Sequence, residues 1–189
     1  MLRIIAGSLK GRKLIAPPGV YTRPLPDRIK QSLFDWLGQD MDGWKVADVC
    51  SGSGSFGCEA FSRGAAQVHC IEAGGHAWPA LLANRRSCGD PAAIHVHQRL
   101  FQQVLPMLKN LDLIFADPPF PWFSEDRPAL EDLVRLATAA LRPQGLLVIR
   151  GERGQELPSA HPGLGAPETR LYGRSWVSAY PRLAVAGHL

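Results

Sequence analysis

The stretch ADVCSGSGSFGCEA, Ala47 to Ala60, decides how this chain is built. WKVADVC is an apolar run that predicts a strand, and CEAFSRGA predicts a helix. Between them Gly52, Gly54 and Gly57 stand in the order G-x-G-x-x-G. That spacing lets the backbone turn tightly and lets a ligand approach the peptide plane.

The same alternation continues outward from the loop. QVHCIEA, AIHVHQ, LDLIFAD and LLVIRGE read as strands. HAWPALLANRRSCG, LFQQVLPMLKN and ALEDLVRLATAALRPQG read as the helices between them. Strands alternating with helices predict an α/β fold with a mostly parallel, doubly wound, Rossmann-like sheet. Past Glu152 a Gly/Pro-rich stretch leads into ETRLYGRSWVSAYPRL, one or two closing strands. On the amino-terminal side, RIIAGSLKGRKLIAP predicts a β-hairpin around a Gly/Lys-rich turn, and PPGVYTRPLP a Pro-rich connector. DRIKQSLFDWLG then reads as a helix with Asp27 as N-cap, an apolar stripe of Ile29, Leu33, Trp36 and Leu37, and Gly38 as its stop. The expected organisation is one domain: hairpin and connector over 1–26, Rossmann-like core over 27–189.

Composition narrows the class. With 46% hydrophobic and 20% charged residues, the 189-residue chain is that of an ordinary globular protein. No apolar run reaches the roughly 20 residues of a membrane helix. The opening MLRIIAGSLKGRK has neither a long apolar core nor a small-residue cleavage site, so a cytoplasmic location is expected. Cys50, Cys58, Cys70 and Cys88 form no C-x-x-C pair and read as reduced thiols. His95 and His97 alternate with apolar residues, the pattern of a strand's wet face rather than of a metal site; no metal is expected. The net charge of +4 is unevenly spread: Arg3, Lys10, Arg12, Lys13, Arg23, Arg28 and Lys30 stand against Asp27 alone in the first 30 residues. Such a block is a candidate footprint for a nucleic acid backbone.

Residues around the glycines choose among ligands. Glu72, twenty positions after Gly52, ends the next strand, where a carboxylate can accept hydrogen bonds from ribose hydroxyls. Nicotinamide cofactors and S-adenosylmethionine (SAM) both carry such a ribose. Asp48, in the last turn of the first strand, is unfavourable beside a pyrophosphate but suits a ligand with an ammonium and a sulfonium. The pattern Asp48-x-Cys50-x-Gly52-x-Gly54 therefore favours SAM.

The strand LDLIFAD ends in Asp117, Pro118, Pro119 and Phe120. Proline cannot donate to a sheet ladder, so the strand stops at Asp117 in a stiff elbow at its carboxyl end. That stiffness suits one reaction. To methylate an exocyclic amine of a base, an enzyme must hold the NH2 group in line with the methyl–sulfur bond and localise its lone pair. The Asp117 carboxylate and the Pro118 carbonyl can each take one N–H, the prolines fix the carbonyl's direction, and Phe120 can stack on the base.

DPPF resembles the (Asp/Asn)-Pro-Pro-(Tyr/Phe/Trp) motif of amino-methyltransferases that act on nucleic acid bases. RIIAGSLKGRKL, TRPLPDRIKQSLFDWL, DVCSGSGSFGCEAFSRGA, IEA, IFADPPF and LYGRSWVSAY together resemble the RsmD family, bacterial methyltransferases of a guanine N2 amine in small-subunit (16S) ribosomal RNA. The resemblance implies a class I SAM-dependent methyltransferase fold, with Asp48, Cys50, Gly52, Gly54 and Glu72 at the cofactor. It implies Asp117, Pro118, Pro119 and Phe120 at the target base. Arg3, Lys10, Arg12, Lys13, Arg23 and Arg28 would meet RNA, and the partner would be ribosomal RNA or the small subunit, met by a monomer. Three places depart from the family pattern: Gly74 stands where a second acid or similar polar residue is usual, Arg99 near where an acid or Asn often is, and the helix entry reads RPLPDR where hydroxyl residues are common after the proline. The alternatives are an amino-methyltransferase of DNA adenine or another RNA, and a non-catalytic RNA-binding protein of the same fold.

Overall fold

The computed structural model describes residues 2–19, 25–159 and 161–184. The chain forms two compact units, Met1–Leu100 and Phe101–Leu189.

In the first unit, β1 (Leu2–Arg3) and β2 (Lys13–Leu14) pair antiparallel, Leu2 opposite Leu14. After α1 (Asp27–Leu37) come β3 (Lys45–Val49), α2 (Ser55–Ser62), β4 (Gln67–Ile71), α3 (Trp78–Ser87) and β5 (Ile94–His97). The three later strands lie parallel in the order β5-β4-β3, Val46 against Val68 and Val68 against Ile94. These residues are fully or almost fully buried, as a sheet covered on its faces requires.

α1 differs from its sequence pattern at one end and along one face. Pro26 occupies the cap position and no side chain caps the helix; Asp27 is its first residue and accepts from Arg3 Nε at 3.2 Å instead. The deeply buried face is Lys30, Leu33 and Phe34, while Ile29, Trp36 and Leu37 are half-buried. Gly38, at φ 104°, ends the helix as expected. His95 is exposed, but His97 is half-buried and shares a 3.0 Å hydrogen bond with His69 of β4. Burial, with His95 and His97 beside it, lowers His69 to about 4, so this ring is neutral at pH 7.

The second unit holds α4 (Phe101–Val104), β6 (Leu111–Ala116), α5 (Arg127–Ala140), β7 (Leu141–Glu152), β8 (Glu168–Tyr172) and β9 (Ser175–Pro181). Its strand order is β6-β7-β9-β8, with β6 and β7 parallel and the other neighbours antiparallel. The helix expected over LFQQVLPMLKN, Leu100 to Asn110, shortens to α4 and a 3-10 turn, Leu105–Met107, whose second residue is Pro106. α5 starts at the Asp126 cap and stops before Leu141, since Pro143 disfavours helical backbone at the residue ahead of it. Among the described residues, no helix is long and apolar enough to cross a membrane.

The amino-terminal segment is fastened to the first unit by a buried ionic cluster. Glu59 of α2 is fully buried and accepts from Ile5 N at 2.7 Å, Ala6 N at 3.0 Å and Arg63 Nε at 2.9 Å. Lys30 Nζ lies 3.4 Å from the same carboxylate and donates to Arg3 O at 2.7 Å. Lys30 therefore leaves the basic surface block in which its sequence position put it. Burial lowers its pKa, and the Glu59 carboxylate offsets part of that shift. Arg63 stacks 4.4 Å from the Phe34 ring centre, which in turn stacks on Phe56.

Removing one member of such a cluster leaves uncompensated charge in the interior. Glu59→Gln is expected to cost about 3–5 kcal/mol in urea unfolding. Replacing Lys30, Glu59 and Arg63 together by apolar residues of similar volume is expected to cost less than that single change.

Candidate functional site

The loop between β3 and α2 is held in a conformation that side chains resist. Cys50, Gly52 and Gly54 have φ of 56°, 52° and 70°. A Cβ on Gly52 would meet nothing within 4 Å, so the space over its peptide is open. Gly57 has the opposite role, because a Cβ there would lie 2.5 Å from Cys70 Sγ and 3.0 Å from Val68 Cγ1. The first glycine leaves room for a ligand, and the third lets α2 press on β4.

Two carboxylates set the loop. Asp48, 2% exposed, accepts the Gly57 N–H at 3.0 Å and ties the end of β3 to the first turn of α2. Glu72, just past β4, accepts from Gly52 N at 2.7 Å through one oxygen and from Gly74 N at 2.6 Å through the other. Each oxygen keeps a further lone pair for a hydroxyl donor. A Cβ on Gly74 would stand 2.7 Å from Glu72 Oε1, so the glycine found there gives Glu72 its second backbone donor without crowding it. Arg99 is exposed just beyond β5. Asn84 of α3, fully buried, exchanges hydrogen bonds with Ile15 (2.7 and 2.8 Å) and donates to Ser53 O at 2.8 Å. It joins the hairpin's second strand to the glycine loop. Sequence reasoning missed it, although an Asn in the middle of an apolar helix turn was a visible signal.

In the second unit the elbow after β6 has the expected stiffness. Asp117 follows directly on the strand, Pro118 is buried, Pro119 is exposed, and Phe120 is half-buried at the start of a 3-10 turn, Phe120–Phe123. Trp122 N donates to Pro119 O at 2.9 Å, while no described residue donates to the Pro118 carbonyl. The Asp117 side chain is 20% exposed, and its Oδ2 accepts from Arg150 Nη1 at 2.7 Å. Burial pushes the Asp117 carboxyl above the usual range, and the Arg150 guanidinium opposes that shift. Arg150 was not among the residues singled out in the sequence. Its signal was an arginine ending the apolar run LLVI.

Of the basic residues, Lys10, Arg12, Lys13 and Arg28 are exposed. Arg3 is exposed as well, in its ion pair with Asp27. Arg23 lies outside the described residues.

The family profile described as Conserved hypothetical protein 95 matches residues 2–181. The chain belongs to this family, the RsmD family. The ribosomal RNA small subunit methyltransferase D of Escherichia coli K12 is 28% identical over 185 residues, covering 97% of this chain and 91% of that protein. Its namesake from Haemophilus influenzae is 32% identical, over 82% of this chain and 81% of that one. The solved yhhF protein of Escherichia coli superposes with a TM-score of 0.83 at 27% identity, over 97% of this chain and 99% of that one. The expected class I methyltransferase fold with an antiparallel amino-terminal strand pair is thereby borne out.

Within this RsmD member, Gly57→Ala is expected to overpack α2 against β4. Thermal unfolding should reveal a destabilisation of about 1–3 kcal/mol.

Proposed function

We propose that this chain transfers a methyl group from SAM to the N2 amine of a guanine in small-subunit ribosomal RNA, working as a cytoplasmic monomer. The observation that carries the reading is the elbow after β6. There a carboxylate and a carbonyl without a described donor stand on a backbone stiffened by two prolines.

The residues of the glycine loop fit the cofactor. The space over Gly52 is open, the Glu72 carboxylate is fixed with lone pairs to spare, and the buried Ser51 Oγ has no partner among the described residues. Cys50, Gly52 and Gly54 would shape the cradle, Glu72 would take the ribose hydroxyls, and Asp48 would hold the loop beside the cationic end. Bound there, SAM supplies an electrophilic methyl group.

The remaining chemistry belongs to the protein. An exocyclic amine is a poor nucleophile because its lone pair is spread into the ring. Asp117 and the Pro118 carbonyl each accept one N–H and leave the lone pair directed at the methyl carbon. Phe120 stacks on the base. Positioning supplies most of the rate, and the methylated amine sheds its proton afterwards without a strong base. Lys10, Arg12, Lys13 and Arg28 would hold RNA phosphates, with Arg3 and Arg23 beside them in sequence; such contacts orient the substrate without reading it.

Labelled methyl transfer tests the reading, with small subunits, stripped ribosomal RNA, transfer RNA and duplex DNA offered in parallel and the product base identified by mass spectrometry. N2-methylguanine in small-subunit RNA is the expected product; methyladenine in DNA would reverse the assignment. Asp117→Ala should lower transfer by at least a hundredfold while calorimetry shows SAM bound as before. Charge reversal at Lys10, Arg12 and Lys13 should weaken RNA binding and flatten its dependence on salt, by about one unit of slope for each phosphate no longer neutralised.

A further inference from the structure

Arg150 is a buried charge beside the elbow that the mechanism above does not use. Ile149 of β7 pairs with Ala116 of β6, so Arg150 runs alongside Asp117, one residue further along both strands. Arg150 is 5% exposed. Its Nη1 donates to Asp117 Oδ2 at 2.7 Å and its Nη2 to Ser175 Oγ of β9 at 3.2 Å. Its guanidinium carbon lies 6.0 Å from the centre of the Phe120 ring, within the range of a cation–π contact. One side chain thus touches two members of the elbow and is itself steadied from a third strand.

We propose that Arg150 is a positioning residue for methyl transfer: it fixes the Asp117 carboxylate through Oδ2, so that Oδ1 is the oxygen that takes the substrate's N–H. The role rests on the reading of Asp117 as the acceptor of the target amine. The terminal torsion of an aspartate is soft, and an unrestrained carboxylate turns readily between its two oxygens. A guanidinium, planar and rigid, removes that freedom where a lysine ammonium, a point charge, would not.

The second contribution is electrostatic. A protonated carboxyl turns one of its oxygens into an O–H donor, whereas the ionised form keeps Oδ1 an acceptor in every orientation. Burial acts against ionisation and Arg150 acts for it. Among the described residues, β9 supplies neutral Ser175 and the turn Phe120–Phe123 carries no titratable side chain, while β7 itself carries Glu152 two residues beyond Arg150. Asp112, the other acid of β6, is paired with Arg142 near the strand's start. Stability alone does not account for the arrangement. Arg150 Nε is buried with no partner among the described residues, an arrangement that costs free energy and that apolar packing would avoid.

The test uses the full-length protein with small subunits and SAM, comparing wild type, Arg150→Gln and Arg150→Lys. Two readouts are taken: the pH profile of kcat, and the titration of the Asp117 carboxyl by carbon NMR without either substrate, its signal assigned with Asp117→Asn. In Arg150→Gln the carboxyl should titrate higher than in the wild type, and the acid limb of kcat should move up with it. On that limb kcat of Arg150→Gln falls below the wild-type value, while the KM for SAM stays as it was. Arg150→Lys should restore the titration but not the full kcat, because it keeps the charge and loses the fork. It also carries the test if the glutamine variant fails to fold; a wild-type kcat in that case overturns the role. Active wild type with an Arg150→Gln profile and titration superposed on it overturns this role alone. A wild type that transfers no methyl group overturns both this role and the reading beneath it.

Discussion

A carboxylate with no access to water must be answered by donors on every side, and the first unit is organised around that demand at Glu59. Its partners come from three places in the chain: backbone N–H groups of Ile5 and Ala6, the Lys30 side chain of α1, and Arg63 one turn further along α2. Because an isolated buried charge is so unfavourable, the partners stabilise the fold only as a set. A hairpin of two-residue strands would be marginal by itself. Here it is secured by hydrogen bonds to a charged group, which are stronger than those between neutral partners.

The two carboxylates of the candidate site are held by different means, and the difference suits their proposed tasks. Glu72 is gripped by two backbone N–H groups, which fix its plane without adding a formal charge. A neutral ribose hydroxyl requires no more than that. Asp117 is gripped by a full positive charge, the buried Arg150 guanidinium. That suits a group whose acceptor oxygen must stay available while a base covers it.

Much of this was legible in the sequence because it is written locally. The strand–loop–helix succession follows from short apolar runs and glycine spacing, and the elbow follows from two adjacent prolines whatever surrounds them. The face of α1 was not legible. Lys30 looks like a surface residue until Glu59, 29 positions later, is known to be buried beside it. Asp27 looked like a cap because its residue type favours caps, yet Pro26 takes the position and Arg3 takes the carboxylate. Glu72 was found from its distance to the glycines. The contribution of Gly74 was not, since a missing side chain shows its value only once the neighbouring oxygen is placed. Arg150 needed the strand register to become visible, because β6 and β7 lie far apart in sequence.

The fastening of the amino terminus bears on how the chain is made. Ile5 waits for Glu59, 54 residues later, and Ile15 for Asn84, 69 residues later. A ribosome delivers the first of each pair long before the second. At about 5–20 residues per second, roughly 3–14 seconds separate the synthesis of Ile15 from that of Asn84. During that interval Leu2, Ile4 and Leu14, all buried in the finished protein, have nothing to pack against. Lys10, Arg12 and Lys13 are interleaved with them, and like charges so closely spaced oppose the association of exposed apolar segments.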